Sequence, residues 1–392
     1  MKILLAVLYY EPAWGYGGPP KMVHDLARQY VKRGHDVTVC TTDALDRGKR
    51  VAALSEISGG VRIVRFRNAS NWLAFHLKIF LPIGMKRWLF AHIAEFDVVH
   101  LFDARTLQNA WAARAAVKAK VPFVVSVWGS LPRGTGWRAI IKGNYDRKHG
   151  AVQLGKAAAL LAQNDHESAL YREYGGRDDQ IQLWPLAVDP DEFGTVPARG
   201  AFRARHQIDP ADPVVLFVGR IHQLKGLNPL VRAFAEARRH HPRARLVLVG
   251  RDDGYLDATL KLAAALGIKE WVHFVGPLYG ADVLPALVDC DLFSITPTHF
   301  EETSLASLSA CAVGRPVLIS DRCGIPWLDD YRAGRLVPQS VAAIGQAMTE
   351  MLSDRASLDD MGRNARKMME ERFFLPQIVS QAEAIYRSAI GR

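Results

Sequence analysis

Short apolar runs of strand length alternate with segments of helical period along this chain, and the alternation occurs twice. In the first half the runs fall at 2–8, 36–41, 61–66, 98–102 and 123–127; in the second they fall at 214–218, 245–249, 272–275, 292–295 and 317–320. Between the first two runs, residues 21–32 carry a helical period that closes at Gly34. Continuous apolar strands separated by helices are the pattern of parallel strands joined by βαβ crossovers, buried on both faces. The expected fold is therefore α/β, with two Rossmann-like, doubly wound parallel sheets. A chain of 392 residues suits two domains. Pro, Gly and charge replace the periodicity across 187–200, so the expected division is 1–190, 191–372 and a terminal helix over 373–392. That helix places Ile378, Ala382, Ile385 and Ala389 on one face and is expected to pack back across the junction. Ligands of such sheets bind at the carboxyl ends of the strands.

Composition narrows the classes. Cys40, Cys290, Cys311 and Cys323 stand alone without CxxC spacing, so neither a disulfide framework nor a zinc site is expected, and a reducing cytoplasm fits. The strand-like opening run follows no leader pattern, so no signal peptide is expected, and no run reaches transmembrane length. Residues 1–150 hold 23 Lys and Arg against 10 Asp and Glu, whereas the remainder holds 27 against 30. The basic first half implies an anionic partner: nucleic acid, acidic lipid or a phosphate-bearing substrate.

Four stretches carry chemistry. Residues 9–20, rich in aromatics, Gly and Pro and including Gly17 and Gly18, follow the first strand and lead into a helix. Glycine there lets backbone approach a phosphate or sugar, although taken alone the stretch reads more readily as a simple tight loop. Residues 72–90 mix Trp72, Phe75, Phe80 and Trp88 with Lys78, Lys86 and Arg87, broken by Pro82 and Gly84. They suit either an element lying on an anionic membrane or a helical pair packed on the core. In 217–230 a strand ends at Gly219, the cations Arg220 and Lys225 follow, Gly226 permits a turn, and Leu230, Val231 and Phe234 continue as a helix. Two cations at the carboxyl end of a first strand are placed to bind an anion. In 297–316, Glu301 precedes a helix with Ser304 as N-cap; Leu305, Leu308 and Ala312 form one buried face, and Gly314 and Pro316 supply the stop. Glu301 alone would serve the helix dipole.

In combination these residues resemble glycosyltransferase family 4, the retaining enzymes of the GT-B fold, in which two Rossmann-like domains face each other across a cleft. The resemblance rests on Gly17-Gly18, Leu26-Ala27, the segment from Gly34-His35 to Val39, and Asp97 to His100. It continues through Gly219-Arg220 with Lys225-Gly226, Asp289 to Phe293, and Pro297 with Glu301, to Gly314-Arg315-Pro316-Val317. It implies that 1–190 binds the acceptor and 191–372 binds a nucleotide sugar. Arg220 and Lys225 would hold the donor diphosphate, so that neither a metal nor a further cofactor is required. Glu301 would hydrogen-bond hydroxyls of the donor sugar, and the N–H groups of Thr303, Ser304 and Leu305 would add phosphate contacts, with Gly17, Gly18 and Gly219 in the same donor set.

Three positions depart from the family pattern. Ser309 stands where a second glutamate is expected toward the ribose, Trp128-Gly129 replaces His-Gly, and Leu186-Ala187 replaces Asn-Gly. His100 and His222 are further candidates for contact with substrate. The function implied is transfer of a hexose, with retention, to a glycan acceptor. A lipid-linked acceptor in cell-surface polysaccharide or lipopolysaccharide synthesis would account for the basic half and for residues 72–90, with the protein cytoplasmic or peripheral at the inner face of the membrane. The rivals are a degenerate transferase that binds nucleotide or glycan without turnover, and a nucleic-acid-binding protein; the latter lacks helix-turn-helix, RNP or zinc-finger patterns, so no nucleic-acid partner is expected.

Overall fold

A computed structural model describes residues 1–13, 18–46, 48–134 and 136–391. The chain divides into two compact units, one of residues 1–186 with 378–392 and the other of residues 187–377.

The strands of the first unit are β1 (Lys2–Ala6), β2 (Asp36–Thr42), β3 (Ser55–Ser58), β4 (Val61–Phe66), β5 (Val98–Phe102), β6 (Phe123–Ser126), β7 (Ala159–Ala162) and β8 (Ile181–Leu183). They form one sheet in the order β3-β4-β2-β1-β5-β6-β7-β8. All neighbours are parallel except the β3–β4 pair, an antiparallel edge hairpin. The order turns around at β1 and β5, the switch point where a doubly wound sheet opens to a ligand.

The C-terminal helix, Leu375–Ile390, returns to this unit from Ile378 onward. It buries Ile378, Val379, Ala382, Ile385 and Tyr386. Trp184 Nε1 donates to the Ile378 carbonyl at 3.1 Å, and Gln381 Nε2 donates to the Leu183 carbonyl at 2.6 Å.

The second unit holds β9 (Val214–Val218), β10 (Arg245–Val249), β11 (Val272–Gly276), β12 (Leu292–Ile295), β13 (Val317–Ser320) and β14 (Gly334–Val337). All are parallel, in the order β11-β10-β9-β12-β13-β14. Counted from its own first strand this is 3-2-1-4-5-6, the doubly wound order of dinucleotide-binding sheets, with the switch point between β9 and β12. The Leu227–Ala237 helix packs Leu227, Leu230, Val231 and Phe234 against the sheet, all inaccessible to solvent.

Four strands escape the apolar-run pattern for physical reasons. β3 is polar and half exposed, β8 and β14 are short edge strands only partly buried, and β7 (Ala-Leu-Leu-Ala) has no β-branched residue to mark it as a strand. No helix among the described residues is long and apolar enough to cross a membrane. The four cysteines are buried and free.

Candidate active site

The second unit places its polar residues at its switch point. β9 ends at Val218, and the Gly219 N–H donates to the Val249 carbonyl at 2.9 Å, which keeps the ends of β9 and β10 level. Arg220 leaves the sheet there. Its guanidinium donates to the Asp253 carboxylate at 2.9 Å, and Arg251 donates to the other oxygen at 2.9 Å. These bonds, Arg220 first, hold the Asp253 carboxyl below the usual carboxylate range. Asp253 lies in the turn after β10, so a carboxylate from a neighbouring loop aims the arginine.

Past Arg220 the chain makes one 3-10 turn, Gln223–Lys225, capped by His222, whose ring Nδ1 accepts from the Leu224 N–H at 3.2 Å. Gly226 follows at φ +72°, and a Cβ placed on it would lie 1.5 Å from the Thr296 carbonyl oxygen. Two further bonds tie this turn to the loop after β12: Thr296 Oγ1 donates to the Gly226 carbonyl at 3.0 Å, and the Thr298 N–H donates to the Leu224 carbonyl at 3.0 Å. The same loop carries Glu301, anchored through its backbone by Arg322 at 2.8 Å and Gly324 at 3.0 Å. The result is that Lys225 Nζ donates to Glu301 Oε2 at 2.6 Å, across 76 residues of sequence, with both side chains about one-fifth exposed.

The following helix, Leu305–Ala312, is capped by Ser304, whose hydroxyl accepts from the Ser307 N–H at 3.2 Å. Thr303 is buried and its hydroxyl has no partner among the described residues. Ser309 turns its hydroxyl back onto its own helix, donating to the Leu305 carbonyl at 2.9 Å. The helix buries Leu308 and Ala312 as its period predicts, but Leu305 is 38% exposed. As the first helical residue it stands at the open end of the loop rather than over the core.

In the first unit Gly18 opens the Gly18–Lys32 helix, whereas Gly17 lies outside the described residues. His100 is not available to a ligand. It is fully buried, with Nδ1 2.6 Å from the Tyr386 hydroxyl and Nε2 2.8 Å from that of Ser126. Burial pushes its pKa down to about 3, so it serves as a neutral core group. Trp128 adopts φ +47° and packs at a tilt on Phe102, ring centroids 4.8 Å apart, while the Gly129 N–H donates to Glu167 at 2.5 Å.

Asp103, which the motif reading passes over, sits at the carboxyl end of β5 at φ +75°. Enclosure there pushes its carboxyl up to about 6 against the opposing pull of Ser130 and Lys78. The sequence signal was an acid directly after a strand that is apolar but for His100, at the switch point.

Two family models divide the chain between them. "Glycosyltransferase Family 4" matches residues 16–192 and "Glycosyl transferases group 1" matches 198–368. The chain belongs to the family 4-type glycosyltransferases. A D-inositol 3-phosphate glycosyltransferase of Nocardia farcinica is 35% identical over 284 residues, covering 69% of this chain and 62% of the relative. A glycogen synthase of Mycobacterium tuberculosis is 25% identical over 99% of this chain and 95% of its own. Among solved structures, Anabaena Alr3699/HepE in complex with UDP superposes with a TM-score of 0.76 at 19% identity, covering 99% of this chain and all of the other. WaaG, a glycosyltransferase involved in lipopolysaccharide biosynthesis, superposes with a TM-score of 0.67 at 19% identity over 98% and 99% of the two chains. At these identities the structural likeness establishes the GT-B fold of this glycosyltransferase.

Proposed function

We propose that this glycosyltransferase moves a hexose, with retention, from a nucleotide diphosphate sugar to a glycan acceptor, and that Arg220, Lys225 and Glu301 handle the donor. The observation that carries this reading is the Lys225–Glu301 pair beside Arg220 at the β9–β12 switch point. A partly exposed ion pair is worth about 1 kcal/mol or less, so an arriving diphosphate with its larger charge can draw Lys225 from Glu301. Lys225 and Arg220 then neutralise charge developing on the leaving nucleoside diphosphate. The freed Glu301 carboxylate accepts hydrogen bonds from sugar hydroxyls. It orients rather than attacks, which leaves a front-face displacement in which a diphosphate oxygen takes the acceptor proton. The N–H groups of Thr303, Ser304 and Leu305 favour an anion at the helix start. Ser309, uncharged and bonded to its own helix, holds a ribose more weakly than a carboxylate would.

A thermal-shift screen with UDP, GDP, ADP and their sugars tests the donor class. One nucleotide series should raise the melting temperature selectively, and this shift should vanish in Lys225→Ala. A flat response to every nucleotide would overturn the donor assignment.

For the acceptor we infer a lipid-linked glycan presented at an anionic membrane, in polysaccharide or lipopolysaccharide assembly. Asp103, charged above about pH 6, is suited to accept a hydrogen bond from an acceptor hydroxyl. The membrane reading is supported by residues 72–90, which form two short helices, Asn71–Leu77 and Met85–His92. These bury Ala74, Met85 and Leu89, but Trp72 is 56% exposed and Ile83, in the connection between them, is 63% exposed, near in sequence to Lys78, Lys86 and Arg87. The Trp137–Tyr145 helix similarly exposes Trp137, Ile140 and Ile141. In a flotation assay with anionic vesicles, the wild type should float and Trp72→Ala/Ile83→Ser/Lys86→Glu should remain largely unbound. Equal flotation of the two would remove the membrane surface from this reading.

A further inference from the structure

The second unit contains a cleft that the donor loops do not use. Its volume is about 660 Å³, within the range of small-metabolite sites. It lies at the amino ends of β12 and β13, where Asp291 and Pro316 precede the strands, opposite the carboxyl ends that carry Arg220, Lys225 and Glu301. Six cations line it, Arg199, Arg315, Arg355, Arg363, Arg366 and Lys367, against three carboxylates, Asp291, Asp359 and Glu370.

Two of those carboxylates are paired with arginine. Asp291 is buried and takes Arg199, Arg203 at 2.7 Å, Arg355 at 2.6 Å and the Val214 N–H at 2.8 Å. Glu370 takes Arg366 Nε at 2.6 Å, and a second Arg366 nitrogen covers the Ala312 carbonyl at 2.6 Å. Asp359 lies 3.7 Å from Arg355.

Arg315 is left over. It has no ion pair among the described residues, and its Nε is buried without a hydrogen-bond partner. Burial works against its charge, as do Arg199 and Arg355, while Cys290 and Asp291 pull the other way. A buried donor left unsatisfied is destabilising, and an acceptor entering the cleft removes that cost. Arginine forks match the oxygens of a phosphate group bidentately. The 14-residue Arg355–Met368 helix lies along this cleft and lines it from Arg355 to Lys367. Its position is fixed, because Gly362 packs so closely on the 314 turn that a Cβ there would lie 2.3 Å from the Gly314 oxygen.

We propose that this cleft binds the phosphate group of a small soluble anion through Arg315, with Arg363 and Lys367 at its mouth, as a site distinct from the donor site. Calorimetric titration of the full chain with inorganic phosphate and with glucose 6-phosphate tests it. Saturable binding should persist in Lys225→Ala, which disables the donor site, and should weaken at least about tenfold in Arg315→Met. Arg363→Ala, at an exposed position, should weaken it without lowering the melting temperature. Equal affinity for the two probes would assign the site to the free anion, whereas tighter binding of the ester would assign it to a phosphorylated sugar. The proposal is overturned by absence of saturable binding at millimolar concentrations, by affinity unchanged in both arginine variants, or by loss of binding in Lys225→Ala.

Discussion

Lys225→Ala is expected to lower kcat/KM at least about a hundredfold, roughly 3 kcal/mol of transition-state stabilisation, while leaving stability nearly unchanged. The two halves of this expectation have different origins. The Lys225–Glu301 pair is partly exposed at 2.6 Å, so its loss removes about 1 kcal/mol or less from folding. In the loaded site the consequence is larger. The ammonium that would meet the diphosphate is gone, and the Glu301 carboxylate it had neutralised now faces the same anion. Arg220→Ala should fall in the same range and leave Asp253 with Arg251 as its remaining partner. Because both cations serve one charge, the double variant should lose less than the two single losses combined. Nucleotide release measured at saturating and sub-saturating donor separates kcat from KM. Turnover close to wild type in either single variant would remove these residues from the donor site.

Gly226→Ala is expected to destabilise the second unit by about 3 kcal/mol or more and to abolish transfer with it. Alanine there must adopt φ +72° and place its Cβ 1.5 Å from a backbone oxygen that cannot move alone. The Thr296 loop carrying that oxygen is also bonded to Gln339, whose side-chain amide donates to the same carbonyl at 2.8 Å. Relief therefore requires the β9 and β12 loops to part, which also separates Lys225 from Glu301. Urea unfolding should show the lower midpoint, and transfer assays on the fraction still folded should show the second effect. A midpoint equal to wild type would mean that the close approach of the two loops does not hold in solution.

The local parts of the donor site were legible because each obeys a short-range rule. Ser304 caps its helix because an oxygen three residues ahead of an amide is a geometric constant of helix starts. Gly226 takes the left-handed turn that its place before a helix suggests. The apolar runs became strands wherever both faces were buried. Where burial was partial, as at β3, β8 and β14, the run carried too little signal. Leu305 misled for a related reason: periodicity reports the face of a residue but not that the first turn projects beyond the core.

The sequence by itself determined the two sheets, the basic character of the first half, and a family 4 pattern placing Arg220, Lys225 and Glu301 after strands. Those properties follow from side-chain polarity and from spacings within a few residues of one another. Only the tertiary structure decided what each polar group meets. It paired Lys225 with Glu301 and Arg220 with Asp253, withdrew His100 into the core against Tyr386 and Ser126, and left Arg315, in a cationic cleft, without an ion pair among the described residues. These partners lie 76, 33, 286 and 26 residues apart. They meet because strand order, set by packing of the whole sheet, brings together loops that no local pattern relates, and a charge acquires its role only from the groups that sheet order sets beside it.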